Sequence, residues 1–150
     1  MANKKINYTN CWYCLFLWVV LSVGACREKA PVYPNLEGYW QEERIVDEVT
    51  GADKECTRLY WAFQLGVSEI RDLGANGWGI HVCRYEYDEA HRLLRMWNFR
   101  EKENQSQNSA EEMLEGFGIP SSDVTFEVVK ADGGHLVLRC EGTLLYFRSF

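Results

Sequence analysis

From Leu36 to Phe150 the chain is built of short apolar and polar alternations broken by acidic or glycine-containing stretches. The clearest case is Arg58 to Leu65, where Leu59, Trp61, Phe63 and Leu65 alternate with Arg58, Tyr60, Ala62 and Gln64. Period two puts successive side chains on opposite faces of a strand, so one face of this segment is wholly apolar. Tyr39 to Val49 is a first strand, with Trp40, Glu42, Arg44 and Val46 on one parity, and Thr50-Gly51-Ala52-Asp53-Lys54 breaks it. Val67 to Leu73 is a short following strand, joined through Gly66 by either a bulge or a sharp corner.

Gly74-Ala75-Asn76-Gly77 supplies a hairpin turn, and Trp78 to Tyr87 resumes the pattern with His81, Cys83, Tyr85 and Tyr87 on one parity. In His91 to Phe99, Leu93, Arg95, Trp97 and Phe99 oppose Leu94, Met96 and Asn98; both faces carry apolar groups and the inward side stays open. Ser109-Ala110-Glu111-Glu112 before Met113-Leu114 carries the N-cap and capping-box spacing of a helix start, which Gly116, Gly118 and Pro120 end quickly. Val124 to Lys130, Leu136 to Glu141 and Thr143 to Phe150 complete seven or eight strands. Nearly all connections are of hairpin length, which keeps consecutive strands adjacent and antiparallel. Such a meander buries its apolar face by closing, and the expected fold is a small up-and-down β-barrel with one short helix.

The N-terminal segment follows a different rule. Lys4 and Lys5 precede the apolar run Cys11 to Ala25, with small residues before Cys26. That order of positive start, apolar middle and small-residue end is a secretory leader rather than a fold element. The run is also shorter than the about 20 apolar residues a membrane-spanning helix needs. Val23-Gly24-Ala25-Cys26 resembles the bacterial lipobox, which implies cleavage after Ala25 and lipidation of Cys26. The expected organisation is a leader over residues 1–25, a tether over 26–35 stiffened by Pro31 and Pro34, and one domain over 36–150. Arg27 is not the aspartate that retains many such proteins at the inner membrane, so the expected location is the outer membrane, with its periplasmic and outward faces both open.

Losing Lys4 and Lys5 with the leader takes the formal charge from -6 to -8. A surface that acidic argues against nucleic acid or an anionic lipid surface as the main partner. Of the six cysteines, Cys11 and Cys14 form a CxxC inside the leader and Cys26 is consumed by lipid. Cys56, Cys83 and Cys140 remain, an odd set in which at least one is unpaired and no pair is selected.

The residues that carry chemistry elsewhere do not form a catalytic constellation here. His81, His91 and His135 are scattered and read as surface or loop histidines, Ser121 and Ser122 lack a nucleophile elbow, and carboxylates such as Glu42, Glu43, Asp47 and Asp88 read as facing water. Neither an enzyme nor a cofactor is expected. The aromatic set Trp61, Phe63, Tyr85, Tyr87, Trp97 and Phe99 is concentrated on central strands. Two readings stand: the rings line a pocket of roughly 300 Å³ or more for a small apolar or amphipathic ligand, or they meet across the axis as solid core. The second reading moves function to the rim or to a protein partner in the envelope.

At Leu36-Glu37-Gly38-Tyr39-Trp40 the chain resembles the Gly-x-Trp opening of lipocalin and lipocalin-like barrels, and in particular the small lipocalin-like lipoproteins of Bacteroidetes. The resemblance implies that Gly38 and Trp40 enter the first strand, that Trp40 closes one barrel end, and that an arginine near the last strand, here Arg148, stacks over it. The Thr-Asp-Tyr motif of larger lipocalins and their long C-terminal helix have no counterpart in the sequence. Ligand identity does not travel with such a fold.

Overall fold

The computed structural model describes residues 30–102 and 110–150. Residues 1–25, read above as a leader, Cys26 with the tether as far as residue 29, and the Ser109 helix cap lie outside the described residues. Strands β1 (Gly38–Asp47), β2 (Asp53–Gln64), β3 (Val67–Asp72), β4 (Ile80–Asp88) and β5 (Leu93–Glu101) precede helix α1 (Ala110–Gly116). Strands β6 (Asp123–Ala131), β7 (His135–Cys140) and β8 (Thr143–Ser149) follow it. Each strand pairs antiparallel with its sequence neighbours, and β1 pairs with β8 from Trp40↔Ser149 to Asp47↔Thr143, closing an eight-stranded up-and-down barrel. The strand count takes the upper of the two expected values, and the short helix lies between the fifth and sixth strands.

The tight connections follow from backbone chemistry. Leu65 and Gly66 join β2 to β3 with φ of 49° and 78°, and Glu141 and Gly142 join β7 to β8 with φ of 50° and 78°. Two successive positive-φ residues give the turn whose twist matches paired strands. The junction at Gly66 is therefore a two-residue hairpin rather than a bulge or corner. At β1–β2, Asp47 Oδ1 accepts the backbone N–H groups of Val49 and Thr50, both at 2.8 Å. β2 consequently begins at Asp53, five residues before the clean alternation starts at Arg58. The stretch between hides its strand character because the register slips there and Arg58 sits at φ 58°.

The interior contains Trp61, Phe63, Ile70, Leu94, Met96, Phe126, Leu138, Leu145 and Phe147, all buried. Burial of each large side chain contributes about 1.5–3 kcal/mol before conformational entropy is set against it. The outer wall carries ion pairs such as Arg95–Asp123 at 2.7 Å and Arg139–Glu127 at 3.1 Å. Among the described residues no helix is long and apolar enough to cross a membrane.

The two barrel ends are covered differently. Where β1 begins, Leu36 and Trp40 are buried, Trp40 Nε1 donates to the Leu36 carbonyl at 2.8 Å, and Tyr33 meets Tyr87 edge-on at 5.3 Å. At the opposite end α1 and the residues after it turn Met113, Leu114, Phe117 and Ile119 inward. Phe117 packs against Trp78 at 5.8 Å and against the His81 ring at 6.1 Å.

Candidate functional site at the helix-covered end

The inward parity of β1 passes through Trp40 and Glu42 and would next place Arg44 inside. A bulge prevents this. On β8, Phe147 faces Glu42 and its immediate neighbour Tyr146 faces Arg44, so Glu43 is the extra residue. Arg44 thereby turns outward, 3.0 Å from Asp53 and 4.6 Å over the Tyr146 ring. Ile45 takes the next interior position opposite Leu145. Glu42 remains inside with no exposed surface, contrary to the expectation that it faces water.

Its two oxygens are unequal. Oε2 accepts a 2.9 Å hydrogen bond from Trp61 Nε1, whereas Oε1 is buried with no hydrogen-bond partner. Burial pushes the Glu42 carboxyl well above its ordinary value, outweighing the Trp61 hydrogen bond and the nearby Lys54 charge, which act the other way. Cys56 lies in the same region: its Sγ approaches the Lys54 carbonyl at 3.9 Å, and burial, then Glu42, pushes the thiol up to about 12. On the far wall Glu101 Oε1 is also buried and unpartnered, across the β4–β5 ladder from His81. His81 is buried, with Nε2 2.7 Å from the Trp78 carbonyl, which corrects its reading as a surface histidine.

Above Ile45 lies a cleft of about 680 Å³ lined by residues that include Ile45, Lys54, Glu115, Ile119 and Cys140. Gly118 rests on the Ile45–Leu145 layer so closely that a Cβ there would lie 2.5 Å from Leu145 Cδ2 and 3.4 Å from Ile45 Cδ1. Lys54 Nζ stands 4.6 Å from the centre of the Trp78 ring, at the rim of this end. The arrangement combines an apolar floor, a rim on which Lys54 stands among Asp47, Glu115 and Glu141, and a buried carboxyl one residue layer below. It suits noncovalent recognition; among the described residues no group of three or more His, Cys, Asp or Glu could hold a metal ion.

The aromatic positions anticipated for a ligand do not all come together. Trp61, Phe63 and Tyr85 do come together, with ring centroids 6.2 Å apart for the first pair and 5.2 Å for the second. Trp61 also meets Phe126 at 6.2 Å and Phe147 at 5.1 Å, so rings from β2, β6 and β8 touch and fill the middle. Tyr87 is half-buried at the end where β1 begins. Trp97 belongs to the outer wall, 5.3 Å from the Arg95 guanidinium, and does not line the interior. Phe99 returns toward the core because Asn98, at φ 58°, breaks the alternation of β5.

Of the closure residues, Gly38 enters β1 at φ 148° and Trp40 is buried where the barrel begins. Arg148 lies on the outer wall, bonded to Gln41 at 2.6 Å and Glu43 at 2.9 Å. Its parity is opposite to that of buried Phe147, which corrects the expectation that it stacks over Trp40. Cys56, Cys83 and Cys140 are free thiols.

Sequence reasoning missed Glu42 as an interior group although it shares a parity with Trp40. It also missed Phe117 and Ile119, apolar residues set between helix-ending glycines and a proline.

No curated protein matches the chain. A crystal structure of a lipocalin-like protein from Bacteroides uniformis ATCC 8492 is similar with a TM-score of 0.60 and 23% identity, covering 77% of this chain and 99% of that one. An uncharacterized protein from Bacteroides eggerthii DSM 20697 gives a TM-score of 0.59 and 21% identity, covering 76% and 98%. At these identities the likeness concerns the fold. A family described as a lipocalin-like domain matches residues 19–150, most of the chain, and the protein belongs to that family.

Proposed function

We propose that this protein is an exported, non-enzymatic lipoprotein, held at the outer membrane through lipidated Cys26, whose barrel binds a small amphipathic ligand at the helix-covered end. The observation that carries the binding reading is the cleft of about 680 Å³ between the Ile45 floor and the Gly118–Ile119 segment, with Lys54 at its rim. Its volume lies in the range of small-molecule sites, and its lining mixes apolar and charged groups as an amphipathic molecule requires. The middle of the barrel offers less, since Trp61 already meets Phe63, Phe126 and Phe147.

Native mass spectrometry of the protein extracted from its own membranes tests this reading. A retained small molecule, lost when Ala52, an exposed residue of the cleft lining, is replaced by Trp to fill the cleft, supports it. Ligand-free protein that captures an envelope protein through its outer wall favours an interaction module instead, the reading that the ring-filled middle supports.

A further inference from the structure

Glu42 is a fully buried carboxyl with one oxygen committed to Trp61 Nε1 and the other committed to nothing. An ionised carboxylate in an apolar interior loses far more solvation than a neutral acid does, so the group keeps its proton. The indole N–H is best accepted by the carbonyl oxygen, Oε2, which leaves the O–H on Oε1. The result is a hydrogen-bond donor held inside a hydrophobic barrel without an acceptor. Buried donors in folded proteins are nearly always satisfied, and one that is not calls for an explanation.

Its position supplies one. Glu42 faces Phe147 across the β1–β8 ladder, and Ile45 faces Leu145 in the layer above. Gly118 rests on that upper layer, and Ile45, Lys54 and Ile119 line the cleft outside it. From the cleft inward the order is a mouth lined by Lys54 together with Asp47, Glu115 and Glu141, an apolar layer, and the Glu42 carboxyl.

We infer that Glu42 is a specificity-determining residue that donates a hydrogen bond from Oε1 to the carbonyl oxygen of an uncharged head group, an ester, an amide or a protonated acid, of an amphipathic ligand. The inference rests on the reading of the helix-covered end as a ligand site and adds which end of the ligand enters first and what chemistry it carries. The head passes between Ile45 and the Gly118–Ile119 segment, which lifts to admit it, and the alkyl tail stays along Ile45 and Ile119. The cleft lining sets Asp47, Glu115 and Glu141 against Lys54, so the discrimination falls to Glu42: a neutral acid offers a proton rather than a negative charge, which disfavours a cationic head.

The test uses the full chain in lipid nanodiscs, with empty nanodiscs as blank, and three matched eight-carbon probes: octanoate, methyl octanoate and octylammonium. Binding is read by calorimetry and by the tryptophan fluorescence change expected from Trp61. E42Q keeps an acceptor for Trp61 and an N–H donor in place of the acid O–H, whereas E42L removes both; E42M replaces E42L if the latter does not fold. Supporting results are binding of methyl octanoate, or of octanoate as its protonated acid, that E42Q retains within about threefold and E42L weakens by about tenfold or more, the loss expected for one hydrogen bond to a buried group. Comparison of those two probes distinguishes an ester head from a protonated acid. Tightest binding of octylammonium with loss in E42Q, or equal binding by wild type and E42L, overturns the role of Glu42 and leaves the helix-end site standing. Failure of all three probes overturns both.

Discussion

Trp61 Nε1 hydrogen-bonds Glu42 Oε2 at 2.9 Å from the adjacent strand, fastening the buried acid to the largest ring of the core. The pair makes stability depend on pH in a direction opposite to most carboxylates. Because the native carboxyl titrates well above its ordinary value of 4.5, the folded state holds a proton that the unfolded state releases as pH rises past that value. Stability from this group is complete below about pH 4 and falls as pH climbs toward the raised native value, by at most about 1.4 kcal/mol per pH unit. Asp47, Asp88, Asp123 and Asp132, all held below their ordinary range by hydrogen bonds, contribute the opposite slope at lower pH. E42Q is expected to remove the loss on the neutral side and leave the acid side unchanged, as measured by urea unfolding from pH 3 to 9. An unchanged neutral limb refutes the assignment.

Phe63 packs against Trp61 and Tyr85 with its side chain fully inside the barrel. Phe63→Ala is expected to destabilise by about 3–5 kcal/mol, the cost of a large cavity in a ring-filled core. Urea unfolding monitored by circular dichroism measures it. A cost below about 1 kcal/mol would mean that the ring faces open space.

Gly116 lets α1 lie against Trp78; a Cβ there would fall 2.4 Å from Trp78 Cδ2. Gly116→Ala forces the ring or the helix to move, at an expected cost of about 1–3 kcal/mol. Tryptophan emission should shift to the red as Trp78 gains water, and thermal unfolding should report the lost stability.

Burial pushes Cys56 and Cys83 up to about 12 and raises Cys140 as well. In a chain with Cys11, Cys14 and Cys26 replaced by Ser, native thiols are expected to react with a disulfide reagent at pH 8 at least roughly a hundredfold more slowly than after unfolding, because the thiolate is the reactive form. Rapid native reaction of all three contradicts this placement.

Intact mass of membrane-extracted protein checks the proposed lipid anchor. Loss of residues 1–25 with an acyl-modified Cys26 is the expected result, and Cys26→Ser is expected to leave the leader attached.

The barrel was legible because its signal is local. Alternations such as Leu59-Trp61-Phe63 and hairpin-length breaks restrict a chain to antiparallel neighbours, and closure follows from the need to bury one face. What escaped is carried by bulges, which shift parity by one residue. Glu43 turns Arg44 outward and Asn98 separates Trp97 from Phe99, yet neither residue type announces a bulge. The buried state of Glu42 was hidden for a different reason: composition says that carboxylates face water, and only the Trp61 side chain, 19 residues away, makes the exception tolerable.

The pairing of β1 with β8 has a further consequence for how this protein can meet others. Among the described residues every strand is bonded to a neighbour on both sides, so none presents an edge along its whole length. The ladders are unequal, however: β5 pairs with β6 only over residues 93–97, and β2 pairs with β3 only over residues 59–64, so among the described residues short lengths of backbone at residues 98–101 and 53–58 lack a ladder partner on one side. A polypeptide partner of the rest of the barrel wall is recognised by side chains, and substitutions on that wall are the ones that would change its companions.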